Sequence, residues 1–582
     1  VSRNAELADR FEEMADLLEA QDVDFKPRSY RRAAESIREH PTPIEDLAAE
    51  GESAVKDIEG VGDAIASKAV EYVETGEIEE LDELRADLPV DMAALTSVEG
   101  VGPKTVGTLY EALGITTLDE LEAAARDGEI QAVSGFGPKT ESNILENIPF
   151  ARQAQERELL GDARPIAEAV RNYLRNEDPV AEVAIAGSNR RWRETIGDVD
   201  VLVASAEAEG AVDAFLDWDA GAELIESGPT KASVRARGMR VDLRVVDPAE
   251  FGAALQYFTG SKDHNVHLRN LAIDRDLKMN EYGVFDVSDV AEETEGQRAG
   301  RRVGGETEAE MYDSLDLPLI PPELREDRGE IEAAAAGELP DLLEPGSLRG
   351  DLHTHTEWSD GSQSIESMIA AAADRGDDFL CISDHATGPG MVGGVGLDDD
   401  ELREQMGAVA AAAADTNLTV FHGVEANVDA DGDLSVGDDV LAELDVVIAS
   451  PHSGLGADRD AATDRLVAAV EHPETDVLGH PTGRLINDRP GLAPDLNRLA
   501  TAAAEAGTAL EVNANPHRLD LNDEGVRTAV EAGATITINT DAHSGEELAL
   551  RRYGVHTARR GWAEAADVLN TWAPDDLAAW LG

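Results

Sequence analysis

Apolar positions in the first forty residues recur at helical spacing. Phe11, Met14, Leu17 and Leu18 form one stripe, and residues 4–40 predict two amphipathic helices. The next stretch, IEGVGDAIASKAVEYVETGEIEEL, sets a Gly-x-Gly turn (Gly60, Gly62) between two helical patterns. The phrase returns as SVEGVGPKTVGTLYEAL at 97–113 (Gly100, Gly102) and SGFGPKTESNILENI at 134–148 (Gly135, Gly137). Such glycines let the backbone come close to a phosphate, and the helix that follows aims its first N–H groups at it. One copy alone would read as an ordinary helix end. Three copies predict helix-hairpin-helix units that grip a nucleic-acid backbone without needing a basic surface.

Residues 151–175 predict a long helix of mixed charge, after which the pattern changes period. AEVAIAG reads as a strand, Gly187-Ser188 as a turn, NRRWR as a basic segment, and DVDVLV as a second strand. Side chains alternate along a strand, so Asp198 and Asp200 share one face while Val199, Val201 and Val203 take the other. Two carboxylates ~6–7 Å apart on one face need neutralising in a dry site. Paired divalent cations do this, and two metals ~4 Å apart clamp both oxygens of an in-line phosphoryl transfer. Gly187-Ser188 offers backbone N–H groups and a hydroxyl to a phosphate. Arg190, Arg191 and Arg193 offer countercharge. A further strand, VRARGMRVDLRVV, brings a third carboxylate, Asp242.

Residues 316–347, rich in proline and acid, read as a linker. Beyond Leu348, seven apolar strands end in polar residues and alternate with alanine-rich helices: RGDLHTHTEWSDG, FLCISDH, LTVFHGVEANV, VVIASPHSG, DVLGHPTG, ALEVNANP and TITINTDAH. That βα repeat predicts a parallel barrel whose function collects at the C-terminal mouth of the strands. Ten of the thirteen histidines lie here. His353-x-His355 has a metal-ligand spacing. Asp360, His385, Glu425, His452, His480, Asp541 and His543 follow at successive strand ends. Imidazole with carboxylate suits zinc, manganese or iron. His422, His472, His517 and His556 read as structural or surface residues.

Composition narrows the setting. At 582 residues the chain holds several domains. Its one cysteine, Cys381, sits in the apolar run FLCIS, which excludes a disulfide within one chain and thiolate chemistry at the site. No apolar run long enough for a membrane span occurs and the N-terminus is charged, so a cytoplasmic protein is expected. The net charge of −71 is unusual for a chain expected to bind nucleic acid. It predicts a halophilic cell with molar internal salt, where the Debye length is about 3 Å. Counterion release would then contribute little to DNA affinity. Backbone contacts, metals and short-range arginine pairs would carry it instead.

The motifs Gly187-Ser188-x-Arg190-Arg191, Gly197-Asp198-x-Asp200, Arg240-x-Asp242-Leu243 and Tyr257-Phe258-Thr259-Gly260-Ser261 resemble those of family X DNA polymerases, the group containing DNA polymerase beta. The C-terminal part resembles the PHP phosphoesterase domain of bacterial and archaeal members. The resemblance covers nearly the whole chain and implies a multidomain fold. Residues 1–88 would be a helix-hairpin-helix, lyase-like DNA-binding domain, and 89–150 fingers with two more such motifs. An α+β nucleotidyltransferase palm would span 151–250 and a small α/β thumb for nucleotide selection 251–318. A linker at 319–347 would lead to a distorted (β/α)7 PHP barrel at 348–582.

The resemblance also implies roles. Lys26 would hold a 5′-phosphate, and Lys68 would be either the Schiff-base lysine of the lyase or a surface lysine that contacts DNA. Gly187, Ser188, Arg191 and Gly197 would contact the triphosphate, while Asp198, Asp200 and Asp242 hold two Mg2+ or Mn2+ ions. Tyr257, Phe258 and Gly260 would flank the sugar, and Asn265 and Arg269 would reach the minor-groove edges of the nascent pair and template. Trp192 stands where the family has glycine, which bears on the turn after the arginines. In the barrel, His353, His355, Glu425 and Asp541 would hold one metal, with Glu425 bridging to a second at His452 and His480. Asp360, His385 and His543 would hold the third. The expectation is a monomer that fills gaps in primer-template DNA with deoxynucleoside triphosphates and trims 3′ ends as an exonuclease. An alternative is a DNA-binding adaptor with an inert palm and a barrel acting as a small-molecule phosphatase of the histidinol-phosphate kind.

Overall fold

A computed structural model of the chain describes residues 3–23, 25–38, 40, 42, 44–56, 58, 60–98, 100–219, 221–290, 296–388 and 396–582. It divides into two compact units, one of Val1–Glu156 with Asn487–Arg489 and one of Arg157–Ile486 with Pro490–Gly582.

The first unit is helical. Helices Arg3–Ala20 and Lys26–Arg38 match the predicted amphipathic pair, and Asp63–Thr75, Pro103–Leu113 and Pro138–Glu156 each follow one of the Gly-x-Gly turns. Apolar faces from all three repeats meet in one core, which includes Phe11, Tyr30, Ile65, Val101, Leu109, Leu121 and Ile144. Close packing reaches the backbone, since a β-carbon on Gly107 would meet the carbonyl oxygen of Ala20 at 2.0 Å. The repeats therefore fold as one body around a shared interior.

The expected long helix at 151–175 is broken. One helix ends at Glu156 and another runs Leu160–Leu174, and between them Glu158–Leu159 pairs antiparallel with Thr195–Ile196. The apolar stripe of the second helix (Ile166, Val170, Leu174) serves a different core from that of the first.

That second core lies under a five-stranded sheet ordered Glu182–Ile185, Val199–Ala204, Met239–Val246, Lys231–Ala236, Glu223–Ser227. The strand carrying Asp200 runs parallel to the one carrying Asp242, and these two residues are paired in register. Alternation sends Val199, Val201 and Val203 into the core beneath helices Leu160–Leu174 and Ala208–Leu216, as predicted. Leu202 and Ala204 on the opposite face pack against Phe251 and Ala254.

Helices Phe251–Thr259 and Lys262–Ile273 lead to a three-stranded antiparallel sheet (Leu277–Asn280, Gly283–Asp286, Arg301–Gly304) and helix Glu308–Asp313. The segment expected as a linker is not a loose tether. Ile320, Leu324, Ile331 and Leu342 share a core with Leu268, Val284 and Met311, helix Glu330–Ala336 forms within it, and Arg325 is fully buried. The proline-and-acid composition concealed apolar positions spaced widely enough to cover this small domain.

Seven parallel strands then follow in sequential order: Gly350–Asp351, Phe379–Ile382, Thr419–Asn427, Val446–Ser450, Val477–Leu478, Ala509–Asn513 and Ile536–Asn539. A parallel bridge between Thr354 and Ala542 brings the last strand's end back to the first, nearly closing the barrel. Cys381 is buried in its wall, where burial pushes the thiol well up. Tyr553, on outer helix Arg551–Arg560, joins the core of the five-stranded sheet. Among the described residues no helix is long and apolar enough to cross a membrane.

Candidate active sites

The register pairing of Asp200 with Asp242, with Asp198 just before the strand, brings all three carboxylates together. One oxygen from each lies within 4.8 Å of the others. Burial, then the charges of Asp198 and Asp242, push the Asp200 carboxyl up to about 7. Asp198 is raised by burial and by Asp242. Three acids held this close cannot all ionise cheaply without a cation. Arg240 partly answers that need, donating from Nε to both Asp242 oxygens at 2.9 and 3.0 Å.

The Gly-Ser turn opens a short helix, Gly187–Arg190, beside these acids. Gly187 has φ +60°, and a β-carbon there would stand 2.0 Å from Asp200 Oδ2. Ser188 is half-buried and Gly197 exposed. The arginines are not open countercharge, as the sequence suggested. Arg190 makes a two-pronged pair with Glu308 at 2.7 and 2.8 Å, and Arg191 donates from Nε to Glu326 at 3.0 Å and from Nη1 to the Thr259 carbonyl. Arg193 lies 3.8 Å from Glu326. Both glutamates come from far along the chain, so the local pattern carried no sign of them.

Tyr257 and Phe258 are half-buried and meet edge-to-face at 5.2 Å. Phe258 lines a cavity of about 140 Å³ with Asp200, Asp242 and Arg244, so it is not sealed in a core. Tyr257 and Arg269 line a separate groove over Leu277–Asn280. Asn265 Nδ2 donates to the Tyr257 carbonyl at 2.7 Å, and its Oδ1 accepts from Gln256 at 2.7 Å. Gly260 follows the helix, and a β-carbon there would stand 3.1 Å from Arg191 Nη1. Sequence reasoning passed over buried Gln256, which orients Asn265.

In the helical unit, Gly60, Gly100 and Gly135 have φ of +75°, +83° and +97°. Gly62 and Gly102 are the N-caps of the helices that follow, and Gly137 precedes Pro138–Glu156 in the same way. A β-carbon on Gly62, Gly102 or Gly137 would meet nothing within 4 Å, so these backbones are open to an approaching group. Lys26 and Lys68 converge on one carboxylate, Glu80, at 3.4 and 2.7 Å. Burial alone would lower the Lys68 amine, but the Glu80 hydrogen bond and Tyr30 outweigh it and raise the amine above its usual value.

At the barrel mouth the predicted set converges on Glu425, which is fully buried. Its Oε1 lies 2.9 Å from His480 Nε2 and 3.2 Å from His452 Nε2, and its Oε2 lies 2.6 Å from His385 Nδ1. His355 Nε2 is 3.0 Å from Asp541, and Asp360 lies 3.3 Å from His385 and 3.2 Å from His543. Three overlapping groups have ligand atoms close enough for one ion: His353, His355 and Glu425; His385, Glu425 and His452; and His355, Asp360, His385 and His543. His355 and His385 thus each belong to two groups. Burial would lower His385, but Glu425 and Asp360 raise it to about 10.

The donors fit cations. His353 Nε2, His355 Nδ1 and His480 Nδ1 are buried without a hydrogen bond, and the close approaches of His385 Nδ1 to Glu425 Oε2 and of His355 Nε2 to Asp541 lack hydrogen-bond geometry. Buried polar atoms are otherwise nearly always satisfied. Outer contacts fix the rings: His353 Nδ1 meets Glu511 at 2.8 Å and His452 Nδ1 meets Asn427 at 2.6 Å. Neither partner was read from sequence. The signal for Glu511 was there, a lone acid between Leu510 and Val512 in an apolar strand. Of the histidines read as structural, His422 bonds Gln405 and His556 bonds Glu323.

A sheet with converged aspartates, joined to a histidine-lined parallel barrel and preceded by Gly-x-Gly helical repeats, defines a protein with two separate clusters that could each hold metal ions, an arrangement suited to phosphoryl chemistry. Comparison with known families matches residues 2–78 to a helix-hairpin-helix domain and 92–148 to a SAM-like helix-hairpin-helix tandem. Residues 254–326 match the DNA polymerase beta thumb and 351–515 the PHP domain. The chain is 35% identical over 564 residues to the DNA polymerase/3′-5′ exonuclease PolX of Bacillus subtilis (strain 168), covering 96% of each protein. It is 25% identical over 344 residues to DNA polymerase lambda of Rattus norvegicus, covering 56% of each. Against the Arabidopsis thaliana DNA polymerase lambda it is 24% identical over 347 residues, 55% of this chain and 62% of that protein. The chain belongs to the family X DNA polymerases that carry a C-terminal PHP domain.

Proposed function

We propose that the chain adds deoxynucleotides to a primer in short DNA gaps and hydrolyses phosphoesters at DNA 3′ ends as a 3′-5′ exonuclease. The observation that carries the first activity is the in-register pair Asp200 and Asp242 with Asp198 beside it. These three would hold two Mg2+ or Mn2+ ions, and bound cations would supply charge neutralisation and Lewis acidity. Asp242 would take the proton of the primer 3′-hydroxyl once Arg240 gives way. Gly187, Ser188, Arg191 and Gly197 would seat the triphosphate, whose charge replaces Glu326 on Arg191. Asn265 fixes the Tyr257 carbonyl, and a fixed carbonyl beside the sugar favours deoxynucleotides by leaving no room for a 2′-hydroxyl. Gly260 closes that turn, and Arg269 faces the groove where the template strand would run.

In the barrel, His353, His355, Asp360, His385, Glu425, His452, His480, Asp541 and His543 would hold up to three zinc, manganese or iron ions. The orphaned buried nitrogens support that assignment. The Gly-x-Gly turns of residues 1–150 would grip the DNA backbone, with Lys26 at a 5′-phosphate. The setting this implies is a cytoplasmic monomer engaged in DNA repair.

The test uses gapped DNA labelled at its 3′ end, Mn2+ and molar KCl, the salt suited to a net charge of −71. Asp198→Ala with Asp200→Ala should abolish extension and spare 3′ degradation, and His353→Ala should do the reverse. Loss of both activities from either change in a folded protein would refute the division.

A further inference from the structure

Trp192 has φ +55°, a conformation that side chains other than glycine disfavour, yet its indole is only 8% exposed. What holds it comes largely from the barrel. The His556 ring stacks on the indole at 3.6 Å and 7°, Tyr553 meets it edge-on at 6.1 Å, and the Arg164 guanidinium lies 4.0 Å from its centroid. Glu323 fixes the His556 ring by a 2.9 Å bond at Nδ1. On the same barrel helix, Arg560 Nη1 donates to the backbone carbonyl of Arg191 at 2.7 Å and to Glu326 at 3.0 Å, while its Nη2 donates to Asp523 at 2.7 Å. Arg552 reaches Glu168, which also accepts from Arg164. Residues 552, 556 and 560 recur every four residues on one face of helix Arg551–Arg560, with 553 three before 556 beside them. That face is applied to the turn Arg190–Arg193.

We propose that this helix of the barrel is a working part of the nucleotide pocket, with His556 and Arg560 as positioning residues that set the turn and so aim Arg191 at the incoming triphosphate. The inference rests on the reading of Arg191 as a triphosphate ligand. Trp192 gives up the conformational ease of glycine and in exchange gives the barrel a flat surface to hold. The barrel thus has two separable duties, phosphoester cleavage at its mouth and support of the polymerase turn from its outer wall. His556 is none of the mouth's metal ligands, so the duties can be tested apart.

The experiment measures steady-state extension of gapped DNA by the full chain, varying nucleotide and DNA independently, beside exonuclease activity on the same preparations. An aromatic stack contributes enough that His556→Ala should raise KM for the nucleotide about fivefold to tenfold. KM for DNA and exonuclease activity should stay within about twofold, since neither uses this contact. His556→Phe keeps a ring on the indole and should restore the nucleotide KM. Trp192→Gly should raise it by itself and add little to His556→Ala, because both remove one contact. An unchanged nucleotide KM overturns the proposal. So does a uniform fall in all activities with a lower unfolding temperature, or a Phe variant as impaired as Ala. A native chain that fails to extend primers at all would instead sink the polymerase reading itself.

Discussion

The Asp200 carboxylate occupies the space that a side chain at position 187 would fill, for a β-carbon built on Gly187 stands 2.0 Å from Asp200 Oδ2. Because residue 187 also has φ +60°, two independent constraints select glycine there. Gly187→Ala should push the Asp200 carboxyl away from Asp198 and Asp242. Displacing a reacting group by about 1 Å costs on the order of 10²-fold in rate, and extension should fall by about that much. Exonuclease activity should be unaffected. A variant extending at the native rate would show that the contact between turn and carboxylate is not needed.

Burial, together with like charge in the triad, has a consequence for stability. Asp200 sits at about 7 in the folded protein, above the ordinary carboxyl value of about 3.9 expected in the unfolded chain. The folded state therefore keeps a proton that the unfolded state releases between those values. The associated stability is full below about pH 4 and is lost as the pH rises through about 7. Asp198→Asn removes one of the repelling charges. With chelator present, it should unfold at a higher temperature than the native chain at about pH 8, by on the order of 2 °C, and show little difference at about pH 5. Thermal unfolding at the two pH values checks this, and equal differences at both would count against it.

At the barrel, Glu511 meets His353 Nδ1 at 2.8 Å and accepts from the backbone N–H of His480 at 2.7 Å. One carboxylate thus orients two of the candidate ligands. Glu511→Gln keeps the shape but weakens both contacts, and loss of such an outer partner typically lowers metal affinity about 10–100-fold. Metal content after dialysis against a graded chelator should fall accordingly, with exonuclease activity lost at lower chelator concentration and extension unchanged. Native metal retention would show that Glu511 is dispensable.

Most of this architecture was legible because the chemistry recurs with the period of the backbone. Asp198 and Asp200 share a strand face by alternation, and the candidate barrel ligands fall where apolar strands end. The three Gly-x-Gly turns repeat one phrase. What escaped notice depends on distance along the chain. Glu308 and Glu326 neutralise Arg190 and Arg191 from more than a hundred residues away, and nothing local to either partner signals the pairing. The break at Arg157–Leu159 was hidden for another reason, since mixed charge continues smoothly through it and only the strand pairing with Thr195–Ile196 interrupts the helix. Residues 316–347 mislead by composition, because proline and acid suggest a tether while Ile320, Leu324 and Ile331 reach a core. The stack of His556 on Trp192 likewise joins positions more than three hundred residues apart, and neither residue's neighbours mark it.

Lys68 offers a last test. A lysine that attacks an aldehyde must be unprotonated, which requires a lowered pKa. Here the Glu80 carboxylate lies 2.7 Å from Nζ and the amine is raised above its ordinary value despite burial, so at neutral pH it is held as ammonium. Borohydride trapping on DNA with a 5′ abasic sugar should accordingly give little Lys68-dependent adduct with the native chain. Glu80→Gln removes the nearest opposing charge and leaves burial opposed only by Tyr30, so the amine should lose protons more readily. The trapped adduct should rise in Glu80→Gln and vanish in the double variant with Lys68→Ala. Strong trapping by the native chain that Glu80→Gln leaves unchanged would mean that DNA itself breaks the Lys68–Glu80 pair before the amine reacts.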